Sequence, residues 1–157
     1  WPIFAPLWML FLSCITASSG STGGGIKMIR TLILAKQANR ELTRLIHPAV
    51  VNPVKVGGSA IPNNVVIAVL GFIFLYFMSV VMLTFVMILS GLDFMTSLGA
   101  VVASINNAGP GLNKVGPATN YAVLTDFQTW VCTFTMLLGR LEVLSLAVVF
   151  TPQFWRK

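Results

Sequence analysis

Charged side chains are scarce in this sequence. They make up 9% of its 157 residues, whereas hydrophobic side chains make up 56%. A typical soluble domain carries about 25% charged residues, so there are too few charges here to cover a soluble surface. The composition therefore predicts an integral membrane protein.

Residue patterns of catalysis and of metal binding are lacking as well. The sequence has one histidine and four acidic residues, and it contains no H-E-x-x-H motif, no Ser/His/Asp set and no paired carboxylates within an apolar stretch. Cys14 and Cys132 lie in apolar stretches without C-x-x-C spacing, which argues against a disulfide or a zinc site. We expect no enzymatic activity and no covalently bound cofactor.

The uneven distribution of basic residues indicates how the chain is oriented. Residues 27–55 contain six Lys or Arg side chains and one acidic residue, while residues 91–126 contain one Lys and two Asp. Segments rich in Lys and Arg stay on the cytoplasmic side of a membrane. The pattern predicts that residues 27–60 and the C-terminus are cytoplasmic and that residues 91–126 lie on the outer side. It favours contact with a lipid bilayer and not with nucleic acid.

The second half of the chain has the pattern of two membrane spans with a shorter helix between them. We predict spans over residues 65–90 (M1) and 127–151 (M2), and a helix over residues 94–105 whose N-terminus is capped by Asp93. A helix of about 12 residues reaches about 18 Å, less than a hydrocarbon core of roughly 30 Å. Such a segment would enter the membrane and leave it on the same side.

The loop after this short helix, residues 106–111, consists of small residues (Asn-Asn-Ala-Gly-Pro-Gly). Irregular backbone at membrane depth is stable only where protein encloses it or where it lines water. Its carbonyl oxygens could replace the hydration shell of a cation, and glycine would let them turn inward. We therefore predict an all-α membrane fold in which residues 63–157 form one M1–pore helix–M2 repeat. About four such repeats would be needed to enclose a pore.

Residues 1–30 form an apolar stretch that is interrupted by glycine. A helix is predicted from Trp1 to Ala17, and because the chain begins with Trp we expect it to be the C-terminal part of a longer protein. The glycine-rich run over residues 18–25 removes helix propensity at membrane depth. It departs from the Walker A pattern, since Ile26 separates the last glycine from Lys27. Two interpretations remain, a broken membrane helix that lines water and a glycine-rich packing face.

The basic segment over residues 31–62 predicts an amphipathic helix, spanning about residues 29–51, that lies on the cytoplasmic membrane surface. It could equally be the docking site of a cytoplasmic partner. A turn-rich connector or a short hairpin is expected over residues 52–62.

Arg140 is predicted near the middle of the last span, where a charge costs about 3 kcal/mol. One interpretation is that it pairs with an acidic residue of a helix outside this chain. The other places it beside an aqueous cavity below the re-entrant loop, where its charge would oppose the passage of cations.

Four short motifs, and their order along the chain, resemble those of one protein family. They are Gly20–Lys27 (GSTGGGIK), Asn106–Gly111 (NNAGPG), Gly139–Glu142 (GRLE) and Phe150–Trp155 (FTPQFW). Over essentially its whole length the chain resembles the C-terminal portion of TrkH-type subunits of the Trk/Ktr/HKT potassium transporters. The resemblance implies four non-identical M1–P–M2 repeats, a homodimer of the full-length subunit, and potassium uptake across a bacterial inner membrane. Residues 1–30 would then end the third repeat, and residues 63–157 would be the fourth.

The resemblance also implies roles for particular residues. The ion filter would be Asn106, Asn107, Ala108, Gly109 and Pro110, with K⁺ on the backbone carbonyls of Asn107, Ala108 and Gly109. The gate beneath it would be Ser19, Gly20, Ser21, Thr22, Gly23, Gly24 and Gly25, with Arg140 projecting toward it. The implied cytoplasmic partner is a TrkA-type ring of regulatory subunits, and a nucleotide would bind only there. The alternative function is that of a non-conducting membrane scaffold whose broken helices pack against other subunits.

Overall fold

The longest helix of the protein is α3, Asn63–Leu89. The computed structural model describes residues 4–15, 24–50 and 52–141. Within these ranges α3 is the one helix that is both long and apolar enough to cross a membrane. Its 27 residues rise about 40 Å, which exceeds a hydrocarbon core of roughly 30 Å.

Only one narrow stripe of α3 faces the rest of the protein. Seven side chains at spacings of three and four form it: Val66, Val69, Phe72, Tyr76, Val80, Thr84 and Met87. This spacing places them on one side of a helix. Large apolar side chains on the other sides, including Phe74, Phe77 and Phe85, are exposed. A helix that is apolar all round suits a lipid environment.

The short helix α4, Phe94–Asn106, is enclosed by other elements. It packs between α3 and α5, Asp126–Arg140, and it contacts the end of α1, Phe4–Ser13. Every residue from Gly99 to Asn106 is buried. The second half of the short helix α4 is therefore buried, whereas the long helix α3 buries one stripe of its surface.

A second, smaller core lies where the amphipathic helix α2, Met28–Ile46, meets the start of α3. Ile33 is buried there against Val66 and Val69. The Arg30 guanidinium lies 4.0 Å from the centre of the Phe72 ring, a cation–π contact. These contacts hold the basic helix against the end of α3 that was predicted to be cytoplasmic.

The connector between α2 and α3 contains an antiparallel hairpin, β1 (Lys55–Val56) and β2 (Ser59–Ala60). The Lys36 ammonium donates to the Lys55 carbonyl oxygen at 2.6 Å, which ties the hairpin to α2. The short hairpin that was expected as one possibility for residues 52–62 is confirmed.

Several element boundaries differ from the predicted ones. Asn106 was assigned to the loop but is the last residue of α4, because the left-handed residue that ends the helix is Asn107. Arg140 was placed in the middle of a helix over residues 127–151, but α5 ends at Arg140. The rest of that predicted helix, residues 142–151, lies outside the described residues. Helix α1 ends at Ser13, and Cys14 and Ile15 form a turn, so the predicted continuation of the helix is wrong at these two residues. Residues 16 and 17 lie outside the described residues.

The N-termini of α4 and α5 are capped by different kinds of side chain. Asp93 accepts from the Thr96 N–H at 3.1 Å and from its hydroxyl at 2.7 Å, so the predicted cap is confirmed. These hydrogen bonds hold the pKa of Asp93 below its ordinary value. Thr125 caps α5 in a reciprocal pair with Gln128. One cap is therefore ionisable and the other is not.

Replacing Asp93 with Ala in the full-length protein should lower its thermal stability at neutral pH, since losing an N-cap typically costs about 1 kcal/mol. The folded-state pKa of Asp93 is depressed, so the stabilisation is present above the unfolded-state pKa and disappears as the pH falls through the folded-state pKa. The difference from wild type should therefore shrink as the pH falls below about 5, measured by thermal unfolding in detergent micelles.

Thr125→Ala is the matched control, because it removes a cap that does not titrate. Its destabilisation should stay constant over the same pH range. If the two variants showed the same pH dependence, the ionised carboxylate of Asp93 would not be the stabilising group.

Candidate functional site

The candidate site begins where α4 ends. Asn107 adopts the left-handed conformation with φ 53°, which asparagine tolerates better than most residues. Its N–H donates to the Ser104 carbonyl at 3.1 Å, and the Ala108 N–H donates to the Ala103 carbonyl at 2.9 Å. This pair of hydrogen bonds is a Schellman motif. It stops the helix sharply and turns the chain into the loop.

The next residues form an exposed loop of backbone. Residues 107–110 are all exposed, and Gly109 has φ 93°. The Tyr121 hydroxyl donates to the Gly109 carbonyl oxygen at 2.9 Å. Since a carbonyl oxygen has two lone pairs, this bond fixes the group and leaves it one further acceptor direction.

After the loop, the chain runs back alongside α4, and two glycines, Gly99 and Gly111, allow the two backbone segments to approach closely. A Cβ on Gly99 of α4 would lie 2.5 Å from the Leu112 nitrogen, and a Cβ on Gly111 would lie 2.9 Å from the Gly99 carbonyl. Neither position has room for a side chain. This close packing explains the glycine at position 111, and it fixes the end of the loop.

The backbone of two other segments closes on the carbonyl end of α4. A Cβ on Gly24 would lie 2.7 Å from the Ile105 carbonyl oxygen, and a Cβ on Gly139 of α5 would overlap the same oxygen. The end of the glycine-rich run and the end of α5 thus both approach the Ile105 carbonyl, two residues before the loop begins. The structure brings together three motifs that are far apart in the sequence.

The predicted gate residues are only partly within the described chain. Gly24 is buried, and Gly25, with φ 85°, lies against the Asn106 side chain. Arg140 follows Gly139 and is exposed. Ser19, Gly20, Ser21, Thr22 and Gly23 lie outside the described residues, as does Glu142. The structure thus places the last two glycines of the run and the residue before Arg140 at the site.

Asn106 belongs to the site through its side chain. Its amide is buried and accepts from the Tyr76 hydroxyl of α3 at 2.8 Å. It also donates to the Ser13 hydroxyl and to the Cys14 sulfur, at 3.4 Å each. All three of these hydrogen bonds of the Asn106 side chain are made to protein groups.

A cavity of about 500 Å³ lies between α1 and the loop. Its lining is mostly apolar and includes Met9, Leu10, Ala108 and Pro110. Within the described ranges, no cluster of three or more His, Cys, Asp or Glu side chains could hold a metal ion. Backbone carbonyls and side-chain amides are thus the cation ligands that this loop offers.

Three contributors to the site were not predicted from the sequence. Tyr76 is a polar group within a charge-free span, and Tyr121 lies in the polar connection after the loop. Both are aromatic residues with a hydroxyl that can reach a partner in an apolar environment, which is the signal that could have found them. Gly139 adjoins the singled-out Arg140, but its contact with Ile105 spans 34 residues of sequence and no local pattern reveals it.

Comparison with known proteins identifies the family of this chain. Residues 1–157 match the TrkH family, described as cation transport proteins. This chain belongs to the TrkH family. Similar relatives include the Trk system potassium uptake protein TrkH of Vibrio parahaemolyticus, 46% identical over 99% of this chain, and that of Escherichia coli K12, 43% identical over all of it. The potassium uptake protein TrkG of Escherichia coli K12 is 38% identical over 99% of the chain.

The fold agrees with a solved structure of the family. The crystal structure of the potassium transporter TrkH from Vibrio parahaemolyticus superposes with a TM-score of 0.91 at 45% identity, covering 99% of this chain and 33% of that one. This chain spans 32% of the length of the TrkH proteins from Vibrio parahaemolyticus and Escherichia coli K12. The helical fold is thus that of a membrane transporter, and this chain contains about a third of the structure.

Replacing Gly139 with Ala should lower the stability of the full-length protein by about 1–3 kcal/mol, the usual cost of overpacking, because a methyl group has no space beside the Ile105 carbonyl. Thermal unfolding in detergent micelles would measure this loss. Gly71→Ala is the matched control, since Gly71 lies within α3 with open space around its Cβ position. Alanine is the better helix former, so the control should keep or slightly raise stability. Equal stability of the two variants would contradict the close approach.

Proposed function

We propose that this chain supplies one quarter of a potassium-conducting pore and that the full-length protein takes up potassium across a bacterial inner membrane. The observation that carries the proposal is an exposed loop of irregular backbone after a short helix whose last eight residues are all buried. Membership of a family whose relatives bear the name potassium uptake protein supports the choice of ion.

In this proposal α3, α4 and α5 are the first span, the pore helix and the start of the second span of one repeat. The C-terminal end of a helix carries a partial negative charge, and the end of α4 leads directly into the loop. The backbone carbonyls of Asn107, Ala108 and Gly109 would then replace water around K⁺. The bond from Tyr121 to the Gly109 carbonyl would fix this group before an ion arrives.

We further propose that the glycine-rich run over residues 18–25 gates the pore beneath this loop. Its last two residues, Gly24 and Gly25, pack against the end of α4, so movement of the run would open or close space directly below the carbonyls. Arg140, next to Gly139 at the same level, would add a positive charge that opposes cation passage. Glycine suits a moving segment because it has the widest range of backbone conformations.

The basic helix α2 is proposed to face the cytoplasm and to meet a regulatory partner there. Leu42, Leu45 and Ile46 at its end are exposed beside basic residues, which offers both apolar and charged contacts. We propose a nucleotide-binding ring of TrkA type as this partner and a homodimer of the full-length subunit. Residues 91–126 would lie on the periplasmic side.

The experiment measures rubidium and sodium flux into liposomes that contain the full-length protein. Wild type should admit rubidium in preference to sodium, and Gly109→Ser should lower this preference about tenfold or more. A φ of 93° is unfavourable for any residue with a Cβ, at a cost of order 1–3 kcal/mol, so the loop carbonyls would be displaced.

Gly91→Ser is the matched control. Gly91 has φ 94° and, like Gly109, has open space around its Cβ position, so serine imposes the same backbone strain away from the loop. The control should keep the selectivity of wild type. A non-conducting scaffold predicts no rubidium flux in well-folded wild type with its regulatory partner present, and that result would refute the pore.

A further inference from the structure

The side chain of Asn106 contacts Gly25 at the end of the glycine-rich run and Cys14, which precedes the run. Its amide nitrogen lies 3.4 Å from the Cys14 sulfur before the run, and its Oδ1 atom would lie 2.5 Å from a Cβ on Gly25 near the end of the run. The Ile26 N–H donates to the Cys14 carbonyl at 2.9 Å, which closes the chain across the run. Asn106 thus lies beside the point where residues 14 and 26 are joined by a backbone hydrogen bond.

The third contact of Asn106 is with α3. The Tyr76 hydroxyl donates to Asn106 Oδ1 at 2.8 Å, and the two side chains are 2% and 7% exposed. Burying two polar groups costs free energy unless they bond to each other, and an aliphatic pair would fill the same space without that cost. The hydroxyl therefore does more than fill volume, since it fixes the direction in which the amide points.

The same residue leads directly into the exposed loop. Asn106 is the last residue of α4, and Asn107 begins the turn. If the amide of Asn106 rotated, the contacts with Gly25 and Cys14 would change together with the geometry of the turn. The hydrogen bond between Tyr76 and Asn106 therefore lies where the start of the loop meets Gly25 and Cys14.

We propose that Tyr76, acting through Asn106, is a positioning residue that keeps the loop over residues 107–110 in register with Gly24 and Gly25. The inference rests on the proposed function, because it treats the loop as the filter. It assigns the Asn106 side chain to this linkage and not to the ion path.

The test uses the full-length protein in liposomes and compares the rubidium-to-sodium flux ratio of wild type with that of Tyr76→Phe. The variant loses a single hydroxyl group, and the ratio should fall about fivefold, the effect expected if the free energy of one hydrogen bond bears on selectivity. The ratio does not depend on how much protein is reconstituted, so a lower yield of the variant does not affect the result.

Thr84→Val is the matched control on the same helix. Thr84 is also buried in α3, but among the described residues its hydroxyl bonds within its own helix, to the Val80 carbonyl at 2.7 Å. The control should keep the flux ratio of wild type. A Tyr76→Phe ratio within the range of this control would overturn the inference while the proposed function stands.

A double-mutant cycle with Asn106→Leu separates positioning from general packing. If Tyr76 acts through Asn106, adding Tyr76→Phe to Asn106→Leu should change the flux ratio no further. Independent, multiplicative effects of the two changes would overturn the inference. Absence of rubidium flux in wild type would instead refute the proposed function, and this inference with it.

Discussion

The contact on which this arrangement depends is the approach of two glycine backbones to the carbonyl end of α4. Gly24 and Gly139 come from opposite ends of the chain and reach the same Ile105 oxygen. The last carbonyls of a helix have no partner within it, so an enclosed end must be satisfied or shielded by other groups. Side chains at these two positions would hold the segments apart, and the loop would lose its support from below.

The position of the loop follows from this constraint. Helix α4 is too short to cross a membrane, and its burial by α1, α3 and α5 leaves it in the interior. The Schellman turn at Asn107 ends it sharply, and the pairing of Gly99 with Gly111 brings the chain back along the helix. Between these fixed points residues 107–110 are exposed, which is the condition under which backbone carbonyls can meet an ion.

The sequence allowed the helices to be predicted better than their contacts. The charge-free run that forms α3, the short helix after Asp93 and the hairpin all have local signals in composition, capping and turn residues. The partners of Asn106 had no such signal, because Tyr76 and Cys14 lie 30 and 92 residues away. The boundary at Asn106 was misplaced because asparagine favours loops in general, whereas here its burial and its bond to Tyr76 keep it in the helix.

The most direct measurement is a structure of the full-length protein determined in thallium or rubidium, with the anomalous signal used to locate the ions. If the loop carries the ion, a peak should lie within coordination distance of the backbone carbonyls of Asn107, Ala108 and Gly109. Ion peaks elsewhere in the protein with none at these carbonyls would contradict the assignment of this loop to the filter.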